Sequence, residues 1–313
     1  MTPRKKSYTV ACLAGDGIGP ELMAEASRAL AEVAHLHGFA VEDAHVPFGG
    51  DAVRRCGHPL PVATRAACRA ADAVLVATTK EPALDGVKAE LDLTWRITRV
   101  RWLPGGDLSV VSPLVEGAEP LAIERAFALA CARRGRIVSV GSDPRWAAAF
   151  AGAALGRDGV EVDRLDVDAA VSGILRAPQL FDVVVTERAY AEALSSTAAH
   201  AHGGERLVAS GRLSPSGPGV FGPTHGSAAE IAGQGVANPS AMLLASALML
   251  AEGLGERTAA ATLESAVTDT LGAVRTPDLV ATGKGATTRE FMDVLLAALP
   301  VARLDTEFAG AWT

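Results

Sequence analysis

Short continuous apolar runs alternate with amphipathic stretches along the chain. "YTVACLAG" at 8–15, "DAVLVATT" at 72–79 and "FDVVVTE" at 181–187 are apolar runs bounded by turn-forming or charged residues, which is typical of strands covered on both faces. "PELMAEASRALAEVAHLHG" at 20–38 carries apolar residues at helical spacing, with proline near its start and glycine after its end. The alternation of these two patterns predicts an α/β fold.

The remaining segments continue the alternation. The clearest breaks are Gly203-Gly204 and the stretch "SPSGPG" at 214–219. Further strands are predicted in 40–50, 108–114 and 136–141, helices in 61–71 and 120–134, a strand followed by a helix in 160–178, and mostly helix from Pro239 onward.

Composition narrows the class of protein. The chain has 313 residues, enough for two domains, and its 49% hydrophobic and 21% charged residues are globular values. A net charge of −7 argues against nucleic acid as a partner, because a phosphate backbone calls for a basic face. No pair of the four cysteines forms a C-x-x-C motif, which argues against a cysteine-based zinc or redox motif and favours free thiols in a reducing cytoplasm.

No segment predicts association with a membrane. The longest apolar helix candidate, 241–251, is far shorter than the ~20 residues of a membrane span. The start "MTPRKKSYTVACLAG" places a basic cluster before an apolar run, but the run is short and leads into Asp16, so a first strand is the better interpretation. The expected location is the cytoplasm.

Two glycine-rich segments carry the candidate chemistry. "AGDGIGPE" at 14–21 joins a predicted strand to a predicted helix, but its G-x-G-x-G lacks the spacing of the dinucleotide fingerprint, so alone it is also compatible with a plain tight turn. "FGPTHGSAAEIAGQGVANPSAM" at 221–242 combines a histidine, an acid, an asparagine and several glycines. Such a segment is suited to holding a ligand against backbone.

Together these motifs resemble the β-decarboxylating dehydrogenases, the family of isopropylmalate, isocitrate, homoisocitrate and tartrate dehydrogenases. "PFGG" at 47–50, "VRWLPG" at 100–105 and "FDVVVTERAYAEALSS" at 181–196 follow in the family's order. The resemblance implies a two-domain α/β fold distinct from the Rossmann fold, with the active site in the cleft between the domains. Residues 1–95 plus 204–313 would form the first, NAD-binding domain and 96–203 the second.

The resemblance implies a nearly intact cofactor site. His225 would lie on the adenine, Asn238 would hydrogen-bond to it, and Glu230 would accept hydrogen bonds from the ribose hydroxyls. Since a carboxylate there repels the 2′-phosphate of NADP, NAD is the expected cofactor. A solvated acid at a helix start is the plain alternative for Glu230. The full implied set is Ile18, His225, Gly226, Ser227, Ala228, Glu230, Ile231, Asn238 and Asp278.

The catalytic half departs from the family pattern. Asp168 falls on the first metal aspartate and Glu192 on the second, whereas Ser196 replaces the third, so an Mg²⁺ or Mn²⁺ site would be incomplete. Ser142 stands at the lysine position, and the arm that carries the tyrosine is largely absent after Glu116-Gly117. Lys80 is the candidate replacement group, with a surface lysine as the alternative. The candidate catalytic set is therefore Lys80, Asp168 and Glu192.

Arginines that clamp a dicarboxylate are also displaced. The resemblance places Ser112 at one such position, Lys88 at another, and the third near Thr98. Arg96, Arg99 and Arg101 crowd the same region, and their register toward the site is open.

Three functions follow as alternatives. The first is an NAD-dependent oxidoreductase repurposed for an unusual small substrate, acting on a CH–OH group. The second is an inactive NAD-binding regulatory subunit. The third is an enzyme that uses NAD or a nucleotide as its substrate. The expected assembly is a homodimer, or a hetero-oligomer with an active paralogue.

Overall fold

The computed structural model describes residues 6–78, 83–103, 106–202, 204–280 and 284–310, leaving aside the side chains of 202, 205 and 305–310. The chain forms two compact units, Met1–Asp92 with Ser216–Thr313, and Leu93–Pro215. We call them unit 1 and unit 2. The domain boundaries predicted at 95 and 204 differ from this division, because a strand at 208–213 pairs within unit 2.

Unit 1 is a parallel sheet with helices. Its strands run in the order β2-β1-β3-β10, and the pairs β1·β2, β1·β3 and β3·β10 are all parallel. The elements are β1 (Ser7–Leu13), α1 (Gly19–His37), β2 (Ala40–His45), α2 (Gly49–Cys56), α3 (Val62–Ala70), β3 (Ala73–Val76), α4 (Ala83–Glu90), β10 (Gly219–Pro223), α9 (Ser240–Leu248), α10 (Arg257–Ala273) and α11 (Thr288–Gly310).

Unit 2 is a mixed sheet. Its strands run in the order β9-β4-β5-β8-β6-β7; β4 is antiparallel to both neighbours, whereas β5, β8, β6 and β7 are parallel to one another. The elements are β4 (Trp95–Trp102), β5 (Gly106–Pro113), α5 (Glu119–Cys131), β6 (Arg136–Val140), α6 (Pro144–Ala154), β7 (Glu161–Leu165), α7 (Val167–Arg176), β8 (Val183–Thr186), α8 (Ala191–His202) and β9 (Val208–Leu213).

The sequence pattern explains the best-defined elements. Proline stands in the first turn of α1, and Gly38 ends the helix in the left-handed region at φ 79°, as the pattern predicts. The strands β3 and β8 are buried at every position, which is why both appear as unbroken apolar runs. Short α2 follows directly after "PF" in 40–50, where the pattern predicts only strand, so that part of the prediction is wrong.

No helix within the described residues is long and apolar enough to cross a membrane.

Candidate cofactor site and the second unit

The carboxyl ends of the unit 1 strands define where a ligand would bind. From β1 the chain passes to β2 on one side and to β3 on the other, so the topological switch point lies beside β1. Open parallel sheets bind ligands outside the carboxyl ends of their strands at such a point. The loop 14–18 follows β1, and the segment 224–239 follows β10 at the same edge.

The two glycine-rich loops touch each other. The backbone N–H of Ile18 donates to the carbonyl oxygen of Ser227 at 2.9 Å. Gly17 has φ +62°, and a Cβ at this position would overlap the Ser227 carbonyl, far inside the 3.0 Å that real contacts keep. The structure thus brings together two residues of the predicted set from distant parts of the sequence.

Glu230 lies exposed on a short turn of 3₁₀ helix, Ala229–Ile231. Ala228 precedes the turn in the left-handed region at φ 39°, which is uncommon for a residue with a Cβ. The N–H of Ile231 donates to Ala228 at 3.1 Å, and Gln234 Nε2 donates to the Glu230 carbonyl at 2.8 Å. The backbone is therefore fixed, while the Glu230 carboxylate makes no hydrogen bond or ion pair with any described residue.

His225 is half-buried beside Gly226. Its Nδ1 lies 3.0 Å from the Gly226 carbonyl oxygen. Because a carbonyl only accepts, Nδ1 carries the proton in this arrangement, which leaves Nε2 as the accepting nitrogen of a neutral ring. The contact orients the imidazole relative to the loop backbone.

Asn238 and Asp278 are linked through Thr276. Asn238 is buried; its Nδ2 donates to Thr276 Oγ1 at 2.7 Å, and its Oδ1 accepts from the N–H of Ser240 at 2.8 Å. The Thr276 hydroxyl in turn contacts the Asp278 carboxylate. Both ends of the Asn238 amide are thus engaged within the protein, and its contact with an adenine stays a prediction.

Two acids that the candidate set omits brace these loops. Burial raises the pKa of Glu21, although the backbone N–H groups of Gly235 and Gly233 pull it the other way. Asp16 accepts from the N–H of Gly50 at 2.6 Å. Both acids lie within "AGDGIGPE", so this motif is the sequence feature that could have identified them.

Within the described residues, the predicted metal and catalytic residues do not lie close together. Asp168 is exposed on α7 and Glu192 is exposed on α8, where its carboxylate pairs with Arg96 at 2.8 Å. Neither belongs to a group of three metal-ligating side chains among the described residues. Lys80 lies outside the described residues. The described residues therefore do not assemble a donor set for Mg²⁺ or Mn²⁺, and that site stays a prediction.

Ser142, at the lysine position of the resemblance, has a defined setting after β6. Its Oγ lies 2.9 Å from the hydroxyl of Tyr190, so the two hydroxyls share a hydrogen bond. Glu187 Oε1 accepts from the N–H of Ser142 at 2.6 Å and of Asp143 at 2.9 Å. These bonds fix a polar turn at the start of α6.

A cavity of about 530 Å³ lies within unit 2 next to that turn. Arg145 and Arg188 are among the residues that line it, and neither makes an ion pair or hydrogen bond through its side chain with the described residues. The acids Glu116, Glu119, Asp143 and Glu187 line it as well. This mixture suits a small ligand that has both an anionic group and hydrogen-bond donors.

The arginines of β4 project to opposite faces. Arg96 reaches Glu192 on the side of α8, whereas Arg99 Nε contacts Asp107 at 3.2 Å. Arg133 and Arg134 also bind Asp107, at 2.9 and 2.8 Å. Burial alone would raise the pKa of Asp107, but the charges of Arg133, Arg99 and Arg101 outweigh it and hold this pKa well below its usual range. The Arg99 side chain is therefore paired with an acid of its own unit, Asp107.

The chain thus combines a parallel α/β unit that carries these loops with a second unit built on a mixed sheet. The model of the isocitrate/isopropylmalate dehydrogenase family matches residues 9–96 and 109–295. The chain belongs to this family.

Relatives and solved structures agree with that assignment. The 3-isopropylmalate dehydrogenase of Synechococcus sp. (strain CC9605) is 35% identical over 88% of this chain and 94% of its own, and the chloroplastic 3-isopropylmalate dehydrogenase 2 of Arabidopsis thaliana is 32% identical over 90% and 85%. A β-decarboxylating dehydrogenase of Thermococcus kodakarensis in its apo form has TM-score 0.82 at 26% identity, over 94% and 96% of the chains. Isocitrate dehydrogenase of Methylococcus capsulatus has TM-score 0.79 at 26% identity, over 93% and 99%.

Proposed function

We propose that the chain is an NAD-dependent oxidoreductase that acts on a small hydroxy acid other than the usual substrates of its family. The observation that carries the proposal is the Glu230 carboxylate. It lies on a fixed turn within the segment 224–239, which contacts the loop 14–18, and it makes no hydrogen bond or ion pair with a described residue. When bound, NAD would supply the hydride acceptor.

The residues present fit the adenosine half of NAD. Glu230 would accept hydrogen bonds from the two ribose hydroxyls and would disfavour a 2′-phosphate by charge repulsion. Glycine at 17 permits the approach of Ser227 that shapes the loop, and His225 offers a ring whose orientation is fixed by Gly226. These contacts support NAD rather than NADP.

The unit 2 cavity supports the proposed substrate class. Arg145 and Arg188 would take a carboxylate, because the guanidinium fork matches it bidentately, and the carboxylates of the wall would accept from a hydroxyl. Standard oxidative decarboxylation is not proposed, because serine stands at position 142, where the resemblance calls for the lysine that moves a proton.

The assay incubates the protein with NAD, Mg²⁺ or Mn²⁺ and a panel of hydroxy acids, and follows NADH absorbance. NADH formed with one acid, together with a raised KM in Arg188→Ala but not in Arg176→Ala, is the expected result. Arg176 is the control because it is exposed at the end of α7 and does not line the cavity. NAD bound without NADH from any acid would contradict the proposal.

A separate observation supports a second function. The Ser142 hydroxyl is bonded to Tyr190, and Glu192 is paired with Arg96, so groups at two family positions are engaged within the chain. An NAD-binding regulatory subunit, working with an active paralogue, needs no proton-transfer group there. A change in the activity of such a paralogue on co-expression would favour this function.

Loss of NAD without formation of NADH would instead indicate that NAD is itself the substrate.

A further inference from the structure

A group of three potential metal ligands lies on the sheet of unit 1 and includes none of the predicted cofactor or metal residues. Cys12 lies next to the end of β1, and Asp43 and His45 lie on β2; their ligand atoms are all within 4.8 Å of one another. In the parallel register Val10 faces Asp43 and Cys12 faces His45. Since positions two apart on a strand share a face, the three side chains project from one face of the same strand pair.

One end of the group is buried and the other is exposed to solvent. Cys12 is 1% exposed, the Asp43 side chain 20% and the His45 side chain 57%. β2 begins the strand order, so it is the edge strand of unit 1. An ion would approach from the side of His45 and reach the sulfur at the closed end.

The Asp43 carboxylate supplies an independent observation. Its Oδ1 is buried and has no hydrogen-bond partner among the described residues. Its Oδ2 lies 4.0 Å from His45 Nε2, too far for a hydrogen bond. A buried carboxylate oxygen without a partner is costly, and a cation removes that cost.

We propose that Cys12, Asp43 and His45 form a binding site for Zn²⁺ or a chemically similar divalent transition metal. Sulfur, imidazole and carboxylate together suit zinc, whereas Mg²⁺ prefers oxygen alone. Zinc bonds of about 2.3 Å to sulfur and about 2.0–2.2 Å to nitrogen and oxygen put tetrahedral ligand atoms about 3.3–3.6 Å apart. The present spacing needs a contraction of roughly 1 Å, within reach of the exposed His45 ring. A water molecule would complete the fourth position.

The site would act as a clamp between β1 and β2. The carbonyl oxygen of Cys12 accepts from the N–H of Val46, and the loop 14–18 starts two residues after Cys12.

Cobalt is the probe, because thiolate-bound Co²⁺ gives a charge-transfer band in the near ultraviolet. The full chain is prepared with Cys56→Ser and Cys131→Ser, which removes the two exposed thiols, and is then stripped with chelator. One equivalent of Co²⁺ should produce the band, and Zn²⁺ should abolish it by competition. Cys12→Ser should lose the band, whereas Cys68→Ser, which removes the other buried thiol of unit 1, should keep it.

A second pair of variants covers the case in which Cys12→Ser fails to fold. His45→Ala should weaken cobalt binding about tenfold or more, since even outer-shell partners of metal ligands cost about 10–100-fold. His58→Ala, at an exposed histidine outside the group, should leave affinity unchanged. No thiolate band, a band that survives Cys12→Ser, or equal affinity in His45→Ala and the parent would overturn the proposal. None of these readouts depends on NAD or on activity.

Discussion

The contact between the two glycine-rich loops can be tested by adding one methyl group. Gly17→Ala puts a Cβ into the Ser227 carbonyl and forces alanine to φ +62°. The left-handed conformation alone costs roughly 1–2 kcal/mol. Displacing Ser227 breaks its hydrogen bond from Ile18, and an unsatisfied N–H costs a further ~1–3 kcal/mol. The free energy of unfolding should therefore fall by about 2–5 kcal/mol.

The matched control is Gly38→Ala at the end of α1. Gly38 has φ +79°, and a Cβ there meets nothing within 4 Å, so only the conformational cost of roughly 1–2 kcal/mol remains. Both glycines belong to unit 1. The difference between the variants, about 1–3 kcal/mol, isolates the contact of the loops.

Urea denaturation measures both variants. Far-ultraviolet circular dichroism reports the helices and strands of both units, so each variant is compared with the parent by the shift of its unfolding transition. Gly17→Ala should shift the circular dichroism transition more than Gly38→Ala does. Equal shifts would refute the contact between Gly17 and Ser227 as a source of stability.

Two further predictions concern charges and thiols. Asp107→Asn should destabilise unit 2 by about 3 kcal/mol because it removes the buried charge that Arg99, Arg133 and Arg134 share, whereas Glu161→Gln, in an exposed pair, should cost at most about 1 kcal/mol. The folded pKa of Asp107 lies below the unfolded value of about 3.9. The loss of unfolding free energy in Asp107→Asn should therefore be constant above about pH 5 and shrink as the pH falls below about 4. A loss that stays unchanged in acid would contradict this. At pH 8, mass spectrometry should find iodoacetamide on exposed Cys56 and not on Cys68, because burial raises the pKa of Cys68 to about 11; equal labelling of the native protein would contradict it.

Periodicity predicted the elements that are set locally. The helix 20–38 carries its own proline and glycine signals, and the runs at 72–79 and 181–187 are apolar because neighbouring elements cover both faces. The run at 40–50 was harder, because β2 is an edge strand and α2 is only eight residues long. Short elements give periodicity too few positions to distinguish a strand from a helix.

The candidate site likewise contains residues that local sequence predicts and residues that it does not predict. The cofactor residues were predictable because they lie in two compact motifs. The bracing by Glu21, the bridge through Thr276 and the group at Cys12 depend on which strands and loops become neighbours. Cysteine spacing argued against a zinc motif, yet Cys12 meets its proposed co-ligands only through the parallel register of β1 and β2. Local sequence does not encode that register.

The central claim, an NAD site that depends on Glu230, is tested most directly by calorimetric titration of the full chain with NAD and NADP. We predict that the parent protein binds NAD in preference to NADP, and that Glu230→Gln loses most of that preference by removing the charge that repels a 2′-phosphate. Glu264→Gln, at another acid of unit 1 on α10, is the control and should leave the preference intact. Absence of NAD binding at millimolar concentration, or a preference that Glu230→Gln leaves unchanged, would show that this NAD site does not exist.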